Sequence, residues 1–185
     1  MPEIFKHARE SDVTITELMI PSYANFGGKI HGGILLSMMD KVAYACASKH
    51  SRKYCVTVAI DNVEFMQPVE VGELVSMKAR INYVGRSSME IGIRVESENT
   101  TRGIVKHTNT SYFIMVAKDE NDNLVEVPGL ILESREDIRR FIKAIFRKQI
   151  NKQHKEMIEE KKETISDAEI IDFLKNERCE LKRID

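Results

Sequence analysis

Residues 21–49 constrain this chain more than any other stretch. A loop loosened by Gly27, Gly28, Gly32 and Gly33 runs straight into an apolar segment, Ile34 to His50. Ile34, Leu35, Met38, Val42, Ala45 and Cys46 recur at helical spacing. Met39, Ala43 and Ala47 widen that face until one narrow polar stripe remains: Ser37, Asp40, Lys41, Tyr44 and Ser48. A helix this apolar is expected to be buried rather than laid on a surface. It reads as the central helix of a domain, with the other elements wrapped around it.

Those other elements read as strands. Residues 13–20 are β-branched and end at Pro21. Residues 54–66 carry apolar positions at Val56, Val58 and Ile60, then at Val63 and Phe65 on the opposite parity. That slip predicts a β-bulge at Asp61-Asn62. Residues 73–83 alternate with Val75, Met77, Ala79, Ile81 and Tyr83 on one side. Residues 89–97 alternate with Met89, Ile91, Ile93 and Val95 on one side. Alternation of this kind means a half-buried antiparallel sheet. Residues 104–118 form a last long strand, whose Tyr112–Ala117 run reads as buried on both faces. Pro128-Gly129 closes the domain near residue 132. The order is strand, helix, then four strands, with residues 1–10 charged and loose. One helix cannot cover both faces of such a sheet, and its edges are open, so self-association is expected.

Two regions follow: a domain over 1–132 and a charged helical tail over 133–185. Ser134-x-x-Asp137 has capping-box spacing, and Ile138, Phe141, Ile142, Ile145 and Phe146 make a helical stripe. Ser166-x-x-Glu169 opens a second helix with Ile170, Leu174 and Leu181. Half of residues 134–185 are charged, so the tail is no independent core. Its basic first helix either reaches anionic groups of a ligand or packs Phe141 and Phe146 on the domain.

Composition removes several classes. The 185 residues are 31% charged and 42% hydrophobic, with a net charge of −1, so no global basic field points to nucleic acid. No apolar run approaches the ~20 residues of a membrane span, and the N-terminus lacks a signal-peptide core. A cytoplasmic protein is expected. Cys46, Cys55 and Cys179 share no metal-type spacing, and neither do His7, His31, His50, His107 and His154. The first two cysteines read as buried, inert thiols, and His107 as a sheet residue.

Three positions can carry chemistry. Asn25 is a turn former or a polar contact for a ligand. Asp40 lies two turns inside the helix. It is either part of a solvated face with Lys41 or a carboxylate hemmed in by Met38, Met39, Val42 and Ala43. His31-Gly32-Gly33 sits where helix N–H groups lack partners and carry partial positive charge. Those groups either hold a developing oxyanion or are capped by water.

Together, Ala24-Asn25-Phe-Gly-Gly-Lys-Ile-His31-Gly32-Gly33-Ile-Leu-Leu-Ser-Met-Met-Asp40 closely resembles the helix segment of hotdog-fold acyl-CoA thioesterases of the cytosolic acyl-CoA hydrolase type. Val84-Gly85-Arg86-Ser87-Ser88-Met89-Glu90 resembles the family's second signature. Asp119–Asn123 and Val127-Pro128 look like the end of its domain. The likeness runs through residues 11–132. It implies an α+β hotdog fold, a five-stranded antiparallel sheet wrapped around one central helix, here with a C-terminal helical extension. It implies hydrolysis of acyl-CoA to a fatty acid and CoA by a homo-oligomer, at least a dimer and often a trimer of dimers, with no cofactor beyond the CoA of the substrate. By position, Asp40 corresponds to the general base or nucleophile, and Asn25 to the group that positions water or thioester across a subunit interface. Gly32 and Gly33 correspond to the oxyanion donors. His31 and Gly85, Arg86, Ser87 and Ser88 correspond to substrate and CoA contacts. Asn62 and Phe65, after the expected bulge, are assigned to the acyl tunnel by position. Two other classes remain open: a non-catalytic acyl-CoA-binding regulator, and a hotdog dehydratase acting on 3-hydroxyacyl thioesters.

Overall fold

A single sheet covers the apolar face of the central helix. The computed structural model describes residues 4–164, 167–175, 177–180 and 182. Its elements run β1 (Phe5–His7), β2 (Val13–Leu18), α1 (Gly32–Ser51), β3 (Tyr54–Asp61), β4 (Leu74–Val84), β5 (Ser88–Asn99), β6 (Ile104–Lys118), β7 (Gly129–Ile131), α2 (Arg135–Thr164) and α3 (Asp167–Leu174). Five strands form an antiparallel sheet in the order β2-β4-β5-β6-β3. Leu35, Met38, Met39, Val42, Ala43, Cys46 and Ala47 of α1 are buried, together with the inward positions of β4, β5 and β6 from Val75 to Ala117. Each large apolar side chain fully buried there stabilises by roughly 1.5–3 kcal/mol, so this seam holds the domain together. The helix stops at Arg52, which takes the left-handed conformation (φ 57°) and donates its N–H to Ser48 O at 2.8 Å. The α+β architecture is the one expected.

Several details differ from the sequence expectations. The helix is not buried all round: Ser37, Asp40, Lys41 and Tyr44 are exposed, because the sheet covers only one of its faces. The bulge in β3 falls at Val58, between the Thr57 and Ala59 pairings, not at Asp61-Asn62. At Asn62 the chain has left the sheet with φ 38°. The helix-facing residues of β3 before the bulge are therefore Cys55 and Thr57, paired with Ala117 and Met115, while Val56 belongs to the other face. A second register shift, between Ile81 and Tyr83, turns Tyr83 outward onto Phe141 with ring centroids 5.0 Å apart. Within the Tyr112–Ala117 run of β6, Phe113, Met115 and Ala117 are buried while Tyr112, Ile114 and Val116 are half-exposed, so the run alternates after all. Residues 5–7 are not loose but pair in parallel with β7.

That ribbon is held by a buried polar cluster. His50, at the end of α1, is fully buried. Its Nδ1 shares a hydrogen bond with Ser11 Oγ at 2.9 Å and its Nε2 one with Pro128 O at 2.8 Å. Lys6 Nζ donates to His50 O at 2.9 Å. A carbonyl only accepts, so Nε2 carries the proton and Nδ1 is left to accept from Ser11. N-terminus, helix end and domain end are thus tied at one point.

Ser134 and Asp137 form the expected cap: Asp137 N–H donates to Ser134 Oγ at 3.0 Å, and Ser134 N–H to Asp137 Oδ2 at 3.1 Å. Arg80 Nη1 lies 3.3 Å from Asp137 and its other nitrogens bond Asp12. The described residues divide into two compact units, with the boundary after Ala144 in α2. In the second unit Phe146 and Ile150 are exposed, and Lys152 and Glu156 pair at 3.6 Å. Ser166 and Leu181, assigned to the second tail helix, lie outside the described residues. Among the described residues no helix is long and apolar enough to cross a membrane.

Burial, reinforced by the Lys6 charge, holds the pKa of His50 below its ordinary 6.5 against the weaker opposing effects of Pro128 and Glu10. Below pH 6.5 the unfolded chain takes up a proton that the folded chain refuses. The stabilisation is therefore complete above that pH and is lost as pH falls towards the folded value. Urea midpoints should drop through this window in the wild type. In His50→Gln they should start lower and depend less on pH.

Candidate active site

The start of α1 is organised by His31. It is extended (φ −65°, ψ 128°), and its Nδ1 accepts from the Gly33 N–H at 2.9 Å. Its carbonyl accepts from Ile34 N–H at 3.0 Å and Leu35 N–H at 3.3 Å. An α-helix leaves four N–H groups without intrahelical partners. His31 thus satisfies those of Gly33 and Ile34, and its own N–H donates to Tyr23 O at 2.8 Å. Among the described residues nothing accepts from the fourth, on Gly32. The Phe65 ring lies beside Gly32, its Cζ 3.3 Å from where a Cβ would stand.

Asn25 acts in this fold as a turn former. Its Oδ1 accepts from Gly27 N–H at 2.9 Å and Lys29 N–H at 3.2 Å, and its own N–H donates to Lys29 O at 2.7 Å. Its Nδ2 remains as a donor at an exposed position. The loop is braced from the sheet. Lys29 Nζ meets both oxygens of Glu70, at 2.6 and 2.8 Å, and the Glu70 N–H donates to Glu73 at 3.1 Å. Glu73 is buried, with Lys106 Nζ at 2.9 Å. Burial alone would raise its pKa, but Lys106, the Glu70 N–H and Ser97 hold it below the usual carboxylate value.

Asp40 stands on the exposed face of α1, not hemmed in as one sequence reading had it. Thr57 Oγ1 donates to its Oδ1 at 2.6 Å. An open cleft of about 490 Å³ runs past this pair, lined also by Lys41, Tyr44, Tyr54 and Met115. Thr57 escaped sequence reasoning; the signal for it was the parity slip in β3, whose bulge lies one residue further on. Cys55 also lines the cleft, but burial pushes its thiol pKa up, and that of Cys46 up to about 12. Neither supplies a thiolate.

Gly85 to Ser88 form the β4–β5 hairpin. Gly85 N–H donates to Ser88 O at 2.7 Å, Ala117 N–H to Ser87 O at 3.0 Å and Val127 N–H to Arg86 O at 2.9 Å. These main-chain bonds pin the hairpin, and the Arg86 side chain is exposed. Asn62 Nδ2 donates to Glu64 at 3.0 Å. The structure thus joins His31 to Gly33, Phe65 to Gly32 and Asp40 to Thr57. Asn25 and the 85–88 hairpin stand apart from these pairs. His107 bonds Asn109 O and Thr110 Oγ1 within its strand.

A carboxylate, an open cleft and amide donors can together support water attack on an acyl group. Along the helix, however, Asp40 is about 12 Å from Gly32 at 1.5 Å per residue. No single carbonyl can meet both within one protomer.

A model of the thioesterase superfamily matches residues 27–104. The protein VdlD of Helicobacter pylori is 39% identical over 161 residues, which span 81% of this chain and 92% of that protein. YkhA of Bacillus subtilis, named an uncharacterised acyl-CoA thioester hydrolase, is 32% identical over 133 residues, 72% of this chain and 77% of that one. The crystal structure of an apo-hexameric acyl-CoA thioesterase superposes with a TM-score of 0.79 at 32% identity, covering 81% of this chain and 96% of that one.

A Cβ on Gly33 would stand 3.0 Å from both Cε1 and Nδ1 of His31. Gly33→Ala must therefore push the ring back by a few tenths of an ångström, strain the cap, and should destabilise the wild type. With His31→Ala already in place, the higher helix propensity of alanine, about 1 kcal/mol over glycine, should make the same change stabilising. Urea unfolding of the four proteins should give a coupling of about 1–2 kcal/mol.

Proposed function

The chain belongs to the thioesterase superfamily, and on that premise we propose that it is an acyl-CoA thioester hydrolase whose site is shared between two copies. The observation that carries this reading is the position of Asp40. It sits exposed on α1, held by Thr57 at the mouth of a cleft, and too far from its own helix start to share a substrate with it. A second copy resolves the distance. Strand β3 is an edge of the sheet, and Tyr54, Val58 and Ile60 are exposed on it. Unpaired edges and exposed apolar side chains favour docking of another chain. An isologous contact there brings Asp40 of each copy towards the Asn25 loop and the helix start of the other.

The chemistry then runs with this chain's groups. Asp40 accepts a proton from water as the water oxygen attacks the thioester carbon. Thr57 fixes the carboxylate orientation. The carbonyl oxygen becomes an oxyanion facing the N–H groups of Gly32 and Gly33, and the Asn25 Nδ2 orients water or thioester. The C–S bond breaks, and CoA leaves as a thiolate that takes the proton back from Asp40. A donor to the oxyanion contributes ~10²–10³ in rate and a general base ~10²–10⁴. The exposed Arg86 on its pinned hairpin suits the anionic part of CoA, and Phe65 beside Gly32 suits the acyl chain. The protein is read as a homo-oligomer, like the hexameric relative, with its functional domain over 1–132 and the tail as an extension.

Asp40→Ala should lower kcat by ~10² or more without changing oligomer or fold. Asn25→Ala should lower it less. Thr57→Val should cost about tenfold, the order expected when a positioning hydrogen bond to a base is lost. Subunit mixing separates a shared site from an internal one. Equal amounts of Asp40→Ala and Asn25→Ala protein, dissociated and reassembled, should recover about a quarter of wild-type turnover, because half the dimers then hold one intact site of two. No recovery beyond the sum of the parents would exclude the shared site.

A further inference from the structure

We infer that His31 is a displaceable internal cap. Its imidazole holds the Gly33 N–H in the free protein and must release it when a thioester enters. The inference rests on the acyl-CoA hydrolase reading and assigns a role within that site. Three observations carry it. The Gly33 N–H donates to His31 Nδ1 at 2.9 Å, so the amide is engaged before any ligand arrives. The ring lies flat enough on Gly33 that a Cβ there would touch two of its atoms at 3.0 Å. The ring is also at the surface, so nothing buried pins it in place. An accepting Nδ1 is unprotonated, which fixes the neutral tautomer with its proton on Nε2.

A carbonyl oxygen that approaches the Gly33 N–H meets the imidazole nitrogen in its path. The two acceptors compete for one proton, and one N–H–acceptor contact is exchanged for another. The Gly32 N–H has no such competitor. The two donors therefore differ: Gly32 is ready and Gly33 is conditional. His31 acts here as a positioning residue, setting when the second donor becomes available.

Glycine labelled with 13C at the carbonyl and 15N at the amide reads this directly. Only Gly28 and Gly33 follow another glycine in this chain, so both can be picked out among its nine glycines. Butyryl-CoA titrated into Asp40→Asn protein should shift the Gly33 amide while Gly28 stays. If other glycine signals respond and Gly33 does not, the cap is not displaced and the inference falls. If no signal responds, and wild-type protein frees no CoA, the parent reading falls instead, whereas the Gly33 shift in His31→Ala still reports the bond. Kinetics supplies the second arm. His31→Ala should raise kcat/KM roughly two- to tenfold, the size of a lost cap, while lowering thermal stability. His31→Asn restores a capping acceptor and should return both towards wild type. A fall in kcat/KM on removing the ring would overturn the role.

Discussion

Eight residues of α-helix separate Gly32 from Asp40, and everything else about the site follows from that spacing. At 1.5 Å per residue the gap is about 12 Å, several times the reach of a hydrogen bond. On the proposed reading both groups draw on the rigidity of α1: the donors are its free N–H groups, and the carboxylate stands on an exposed turn. Rigidity in turn requires that the opposite face be buried, which Met39, Val42, Ala43 and Cys46 provide. A helix so used cannot fold back to bring its own ends together. On the proposed reading, its two chemical features are complementary halves, and a two-fold contact is the simplest operation that joins them.

The sheet supports this by being incomplete on the β3 side. A bulge at Val58 breaks the ladder at the position where Thr57 must reach Asp40. Bulges increase local twist and re-aim side chains, and here the residue before the bulge is the one that meets the carboxylate. The same strand keeps Tyr54, Val58 and Ile60 outside the core. An edge strand of this composition is a liability in a monomer and an asset in an assembly. At the other edge, β2 is tied down instead by Arg80, which grips Asp12 just ahead of it and Asp137 at the start of α2.

The fold was legible because its two periods are clean. Alternation in residues 73–97 and 3.6-residue spacing in 34–47 each point to one buried face. What was hidden lay where a single residue shifts the period. One extra residue at Asn82 sends Tyr83 to Phe141, and the one at Val58 lies three to four residues before the parity slip read at Asp61-Asn62. A periodic pattern reports that a slip occurs, not at which rung. The candidate residues Asn25, Asp40 and the glycine pair were visible through a resemblance to a family, not through periodicity. Thr57 was not visible, because its partner is 17 positions away and the parity slip marks a stretch of β3 rather than one residue in it. The N-terminal ribbon was missed for the same reason: three residues of β1 have no pattern until β7 supplies the pair.

The glycine pair shows how one motif can satisfy two states. Gly32 leaves room for Phe65, and Gly33 leaves room for His31, so the free helix start is closed and its amides largely satisfied. The same missing Cβ atoms would leave both amides open to a close-approaching oxygen. An exposed donor pair would suit the oxyanion but leave the free helix without its cap, a loss of about 1 kcal/mol. A capped pair gains that stability and returns it on binding. The arrangement therefore favours a helix start that is stable without ligand and only half prepared for one, with the remaining half released by the ring of His31.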